Sequence, residues 1–197
     1  EYPLNEKNRD DAVEALCKEY DISYRCYQDQ CLLPPDFVLT GEGNPFKVFT
    51  PYAKKTKLIL ESAGPIKSYG LNIKTVKNEY SIDFPVLDEQ LELNKIDWPK
   101  VEVWWDQQWP AGEREAHKRL KSFVSSQIQN YKSARDIPAL NGTSSLSAYL
   151  ASGVISVRSC WEAAGSEGLD ESARTWRNEL LWRDFYKYVM FHYPHVC

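Results

Sequence analysis

The densest run of chemistry-bearing side chains lies at residues 176–186, Trp-Arg-Asn-Glu-Leu-Leu-Trp-Arg-Asp-Phe-Tyr. At ~100° per residue, a helix gathers Trp176, Glu179, Arg183 and Tyr186 within an arc of about 80°, with Trp182 about 40° beyond it. Leu181, Phe185, Tyr188 and Val189 take the opposite arc, which is expected to face a core. An aromatic surface carrying one carboxylate and one guanidinium suits a flat polar molecule such as a nucleobase. The same spacing also describes an aromatic core helix with a satisfied ion pair, and the pattern alone does not separate the two.

Two further segments carry groups suited to anions. Gly142-Thr143-Ser144-Ser145-Leu146-Ser147 places four hydroxyls at the expected start of a helix, where unpaired N–H groups favour phosphate. Ordinary capping by one serine is the competing explanation. Tyr131-Lys132-Ser133-Ala134-Arg135 closes the preceding helix with a ring and two cations. Those cations can reach a phosphate or simply complement their own helix dipole.

The elements that must position these groups fall into three stretches. In the first, Val13, Leu16, Cys17 and Tyr20 mark an amphipathic helix over residues 9–20. Residues 22–27 read as a short strand, and Phe37-Val38-Leu39 as another extended piece after the Pro34-Pro35 break. Thr50-Pro51 opens a helix to about Ala63, ended by Gly64. Alternating helix and strand suggests the trailing part of an α/β unit over residues 1–64.

Residues 65–110 lose periodicity and are punctuated by Pro65, Pro85, Pro99 and Pro110. So long a connection reads as an interdomain linker, anchored by Phe84, Trp98, Trp104 and Trp105. Residues 111–197 read as all-helical. Ala116, Leu120, Phe123, Val124, Ile128 and Tyr131 form one stripe ending before Pro138. A short helix follows to Ala151, closed by Gly153. Ser156 caps a helix to Ala164, and Asp170 caps a long final helix running toward Pro194.

Net charge is −4, which argues against a wholesale coating of nucleic acid. Residues 1–109 carry 13 Lys+Arg against 19 Asp+Glu, whereas residues 110–197 carry 11 against 9. Polyanion binding therefore belongs to the second part. The five cysteines have no disulfide-framework spacing and fit a reducing compartment. Cys26 and Cys31 with His192 and His195 are poorly spaced for zinc, so no metal site is expected. No apolar run reaches membrane-spanning length.

In order, Trp109, Gly112-Glu113, Leu120, Phe123, Tyr131, Arg135-Asp136, Pro138, Gly142-Thr143-Ser144, Leu146-Ser147, Tyr149-Leu150-Ala151, Gly153, Ile155-Ser156 and Arg158 resemble the photolyase/cryptochrome family. Trp176, Glu179-Leu180 and Trp182-Arg183-Asp184-Phe185-Tyr186 look like its flavin-domain motif at the expected distance. Upstream, Pro34-Pro35, Thr40-Gly41 and the run from Pro45 through Tyr52 are similar to the end of its antenna domain. The resemblance spans essentially the whole chain. It implies an α/β fold followed by an all-α one: the trailing part of a Rossmann-like antenna domain, a long linker, and the first part of a helical FAD-binding domain.

The resemblance also implies roles. Tyr131, Thr143, Ser144, Ser145, Leu146 and Ser147 would hold the FAD phosphates and ribityl region. Arg135 would lie near the DNA backbone. Trp176 and Trp182, with Tyr186, would line a cavity for damaged bases flipped out of the duplex. Glu179 would hydrogen-bond the lesion as charge develops on it, which requires a carboxyl that donates or shares a proton when substrate is bound. Arg183 either binds phosphate or orients Glu179. The reaction implied is light-driven electron transfer from reduced flavin that splits a cyclobutane pyrimidine dimer, with UV-damaged DNA as partner. Glu1 occupies one of two antenna-pigment positions of folate-using relatives, so methenyltetrahydrofolate is the expected antenna, and a deazaflavin is the alternative.

Within the family, Trp176, Glu179 and Trp182 together are most similar to class I cyclobutane-dimer photolyases. A cryptochrome-type blue-light receptor without repair activity is the runner-up, and a non-enzymatic helical DNA-binding module is the reading from a different class. A monomer in the cytoplasm, or in a eukaryotic nucleus, is expected. The resemblance places the antenna domain's opening strands before Glu1, and the acidic flavin-ring residues and electron-transfer tryptophans beyond Cys197. The chain therefore reads as a fragment expected to retain little FAD by itself.

Overall fold

The computed structural model describes residues 4–64, 108–165 and 170–196. Of these, residues 4–64, 112–165 and 170–196 belong to one compact unit. Most of the expected linker, with Phe84, Trp98, Trp104 and Trp105, lies outside the described residues, as does Glu1.

Helix α1 spans Leu4–Glu19. It ends where Asp21 turns left-handed (φ 54°) and Ile22 N–H reaches back to the Cys17 carbonyl at 2.7 Å. That six-to-one closure is a Schellman-type stop. The amphipathic stripe expected on α1 is present. No described element covers it, and Val13, Leu16 and Tyr20 are exposed.

The strand expected at residues 22–27 does not form. A strand needs a neighbour to pair its backbone groups, and no partner strand lies among the described residues. The second extended piece is also different. Pro35–Phe37 is a turn of 3-10 helix, and the only pairing nearby is one antiparallel bridge from Leu39 to Pro45. Gly43 at φ 79° makes that hairpin tip possible. The described part is thus helical, without the expected α/β alternation.

Helix α2, Phe49–Ala63, begins one residue before the expected Thr50 cap and stops at Gly64 with φ 74°. Its inner face buries Tyr52, Ala53, Thr56 and Leu60. The single helix expected through Tyr131 is broken. Helix α3 covers Glu113–Ser126, a 3-10 turn covers Ile128–Asn130, and α4 is the short Tyr131–Ala134. The break lets Ile128 and Tyr131 both turn inward. Helices α5 (Ser147–Ala151), α6 (Val157–Ala163) and α7 (Glu171–His192) follow as expected. Ser156 accepts from Ser159 N–H and caps α6, and Asp170 accepts from Ala173 N–H at 2.7 Å and caps α7.

Helix α7 is the spine of this unit. It packs on α2, α4 and α6 and on both 3-10 turns at residues 35–37 and 128–130. One side builds an aromatic core of Val38, Tyr52, Phe185 and Tyr188. Polar side chains then staple the irregular segment 30–46 onto the helix. Asp184, 1% exposed, accepts from Leu32 N–H at 2.7 Å and from Arg183 Nη1 at 3.0 Å. Arg183 donates to the Gln30 carbonyl at 2.6 Å, and Lys187 to Gln30 Oε1 at 2.5 Å. Tyr188 donates its hydroxyl to Val38 O at 2.9 Å and accepts from Phe46 N–H at 2.8 Å.

Burial raises the Asp184 carboxyl from 3.8 to about 6, even though the Leu32 amide and Arg183 favour its ionised form. The folded state therefore holds that proton more tightly than the unfolded chain. Its stabilising contribution is greatest below the unfolded value and is lost as pH rises through about 6. In urea denaturation, the stability difference between the wild type and Asp184→Asn is expected to shrink from about pH 4 to about pH 6.5 and then level off. A difference that grows with pH over that window would contradict the assignment.

Candidate functional site

The outward side of α7 carries Glu179, Trp182, Arg183 and Tyr186, but these four do not act alike. Glu179 is about one-third exposed and accepts a hydrogen bond from Arg135 Nη1 at 2.5 Å. Arg135 stands at the end of α4, with its guanidinium 5.3 Å from the centre of the Tyr131 ring and Asp136 3.5 Å away. The hydrogen bond that Arg135 donates to Glu179 raises the guanidinium pKa above its ordinary value, so the cation is secure. Burial raises the Tyr131 hydroxyl. Helix α4 is held against α7 by the Lys132–Glu171 ion pair at 2.5 Å and by Lys132 N–H donating to Ser172 Oγ at 3.3 Å.

Trp182 is half-buried and lies flat on Phe49, with ring centres 3.6 Å apart and planes 8° from parallel. Phe185 meets the indole edge-on at 6.0 Å. Tyr186 lies 5.8 Å away at 29° and is 62% exposed. Trp176 is placed differently. It is 3% exposed and packs on Phe123 at 5.0 Å, which makes it a core residue here. Its arc on the helix borders Leu180 and Ala173, both buried.

Arg183 neither touches Glu179 nor stands free. Its guanidinium donates to the Gln30 and Leu150 carbonyls and to Asp184. The residue that engages Glu179 is Arg135, 44 positions earlier in the chain.

Residues 142–147 form a tight loop leading into α5. Thr143 and Ser147 are exposed, Ser144 and Ser145 half-buried, and Leu146 is a core side chain at 1% exposure. No side chain caps α5, so the hydroxyls are not consumed in capping. Ser145 adopts φ 50°, an uncommon conformation for a side-chain-bearing residue. Gly142 presses on the end of α4: a Cβ there would sit 2.6–2.7 Å from Ala134 side-chain and backbone atoms. The hydroxyl loop and the Tyr131–Arg135 segment are therefore in direct contact.

Two features had no sequence signal. Arg177 is buried beneath the exposed face, donates to the Trp161 carbonyl at 2.6 Å and lies 4.2 Å over its ring. It supplies a donor at the C-terminal end of α6, where carbonyls lack helical partners. Phe49 was legible only as one letter of a motif, because nothing local says which ring it will cover.

Comparison with known proteins matches residues 1–68 to the family model described as DNA photolyase. The deoxyribodipyrimidine photo-lyase of Vibrio cholerae is 32% identical over 96% of this chain and 40% of its own length. That of Escherichia coli is 31% identical over 100% of this chain and 40% of its own length. The chain is thus similar to DNA photolyases over nearly its whole length. A crystal structure of a class III photolyase from Agrobacterium tumefaciens superposes with a TM-score of 0.74 at 23% identity, covering 100% of this chain and 40% of that one. The fold is thus that of the corresponding part of a photolyase. The chain spans about 40% of the length of these relatives.

Gly142→Ala is expected to cost about 1–3 kcal/mol, since a side chain there must push backbone apart. A thermal melt of the variant checks it, and an unchanged melt would show that the loop yields freely. The Arg135–Glu179 pair, near one-third exposed, is expected to show a coupling of roughly 0.2–1 kcal/mol in a double-mutant stability cycle. A much larger coupling would mark it as a structural pair.

Proposed function

We propose that this chain is part of a light-dependent DNA-repair enzyme, a deoxyribodipyrimidine photolyase that splits cyclobutane pyrimidine dimers. The observation that carries the reading is the pairing of Glu179 and Trp182 on the outward face of one helix, with Arg135 bonded to Glu179. A carboxylate, a half-buried indole and a cation are the groups needed to grip an extruded base and its phosphate. In the same proposal, residues 1–64 are the end of an antenna domain, residues 65–110 the linker, and residues 111–197 the beginning of the FAD-binding domain.

The residues present fit a flavin dinucleotide. The hydroxyls of Thr143, Ser144, Ser145 and Ser147 are left over from capping, and the Gly142 contact keeps their loop against Ala134 at the end of α4. These residues would hold the phosphates and the ribityl chain, with the buried Leu146 acting as an anchor. Bound reduced FAD would supply the excited-state electron, and methenyltetrahydrofolate is the antenna proposed with it.

The chain's own residues have distinct tasks. Trp182 stacks on the extruded pyrimidine, worth ~1–3 kcal/mol per base. Glu179 hydrogen-bonds the lesion where negative charge develops, which favours the transition state over the ground state. Arg135 has two partners to choose between: Glu179 in the free protein, and a DNA phosphate in the complex. Movement toward phosphate releases the Glu179 carboxyl to the base. Trp176, packed on Phe123, supports the wall from behind. Arg183 holds α7 to the segment at residue 30 and positions the face.

Affinity for an oligonucleotide containing a thymine dimer, measured against its undamaged twin, tests the reading. A clear preference for the damaged strand is expected, and none at all would refute it. In single-turnover photorepair by the FAD-loaded enzyme of which this chain is proposed to be part, Glu179→Gln is expected to keep most of the rate and Glu179→Ala to lose ten-fold or more, consistent with one lost hydrogen bond to a charged group at roughly 1.5–3 kcal/mol. Equal loss in both variants would remove Glu179 as a donor.

A further inference from the structure

The stack of Phe49 on Trp182 joins two parts of the chain separated by more than a hundred residues. A tryptophan ring turns about a broad, roughly two-fold torsion at χ2, so its plane is set by neighbours rather than by its own rotamer wells. Phe49 covers one face at 3.6 Å and is 8° from parallel, within ordinary contact distance over the full ring. Phe185 abuts both rings edge-on, at 5.8 Å from Phe49 and 6.0 Å from Trp182. Tyr186, 62% exposed, stacks on the indole at 5.8 Å and 29°, and the half-buried Trp182 keeps a solvent-facing part that a base can reach.

Phe49 is itself held in place. It is the first residue of α2, with Pro51 two positions on fixing the backbone of the first turn. The strand of chain leading to it is tied down by Phe46 N–H donating to the Tyr188 hydroxyl at 2.8 Å. Both rings of the stack are therefore anchored through α7, by the helix backbone for Trp182 and through Tyr188 for Phe49.

We propose that Phe49 is a positioning residue for lesion recognition: it fixes the plane of the Trp182 indole so that an extruded pyrimidine meets an already oriented platform. This rests on the repair reading above. A preset platform raises affinity by removing the ordering cost at the moment of binding. The gain applies only to a base that leaves the helix stack, so it increases discrimination between damaged and undamaged strands and leaves general DNA affinity alone.

The test uses protein labelled with 5-fluorotryptophan, in which Trp182→Phe identifies the Trp182 resonance. Phe49→Leu is expected to shift and broaden that resonance, because the stacked ring current and the restraint are both lost. The same variant should lower the ratio of damaged to undamaged oligonucleotide affinity about five- to ten-fold, with undamaged affinity within about two-fold of wild type. Phe49→Tyr should retain both the resonance position and the ratio. If Phe49→Leu does not fold, Phe49→Met makes the same comparison with volume closer to conserved. An unmoved Trp182 resonance, or an unchanged ratio when the resonance has moved, overturns the role of Phe49 while leaving the repair reading intact. Wild-type protein without any preference for damaged DNA overturns the repair reading, and this role with it.

Discussion

The buried Asp184 carboxylate is the contact on which the rest of this unit depends. Residues 30–46 have almost no secondary structure of their own, so their backbone amides and carbonyls lack ladder partners. Asp184, Arg183, Tyr188 and His192 supply those partners from one side of α7, and Lys187 adds a bond to the Gln30 side chain. Arg158 on α6 adds donors to Leu32 and Gln28 carbonyls from the next helix. An irregular segment is thereby packed as firmly as a regular one, and its apolar residues Leu32 and Val38 are sealed at 2% and 0% exposure.

That arrangement divides α7 into two working sides. Its inward residues are spent on structure, and so are two of its arginines. Arg183 and Arg177 both point their guanidiniums at backbone carbonyls. On the outward side Glu179 and Trp182 are each steadied by a group from elsewhere in the chain, while Tyr186 stays exposed. Arg135 reaches Glu179 from α4, and Phe49 covers Trp182 from α2. A stiff, over-determined helix is a good support for a recognition face, since a binding group misplaced by an ångström loses much of its value. No described helix is long and apolar enough to cross a membrane.

Much of this was legible from local pattern. The caps at Ser156 and Asp170, the stops at Gly64 and Gly153, and the buried arc of Leu181, Phe185 and Tyr188 follow from chemistry within a few residues. The family likeness, too, came from motif order along the chain. The failures share a cause. The strand expected at residues 22–27 depends on a partner strand, and the continuous helix through Tyr131 broke because Ile128 and Tyr131 bury better with a 3-10 turn between them.

The sequence by itself determined where the longer helices lie, which arc of α7 is apolar, and that Glu179 and Trp182 share a helix with the spacing of the photolyase motif. Such features are set by interactions within one or two turns, where periodicity is a direct record of packing. Only the tertiary structure decided which charged and aromatic residues remain free to act. It buried Trp176 against Phe123, spent Arg183 on the Gln30 carbonyl, gave Glu179 to Arg135, and laid Phe49 on Trp182. Each of those choices joins residues 44 or more positions apart, and helical spacing holds no information about partners at that distance.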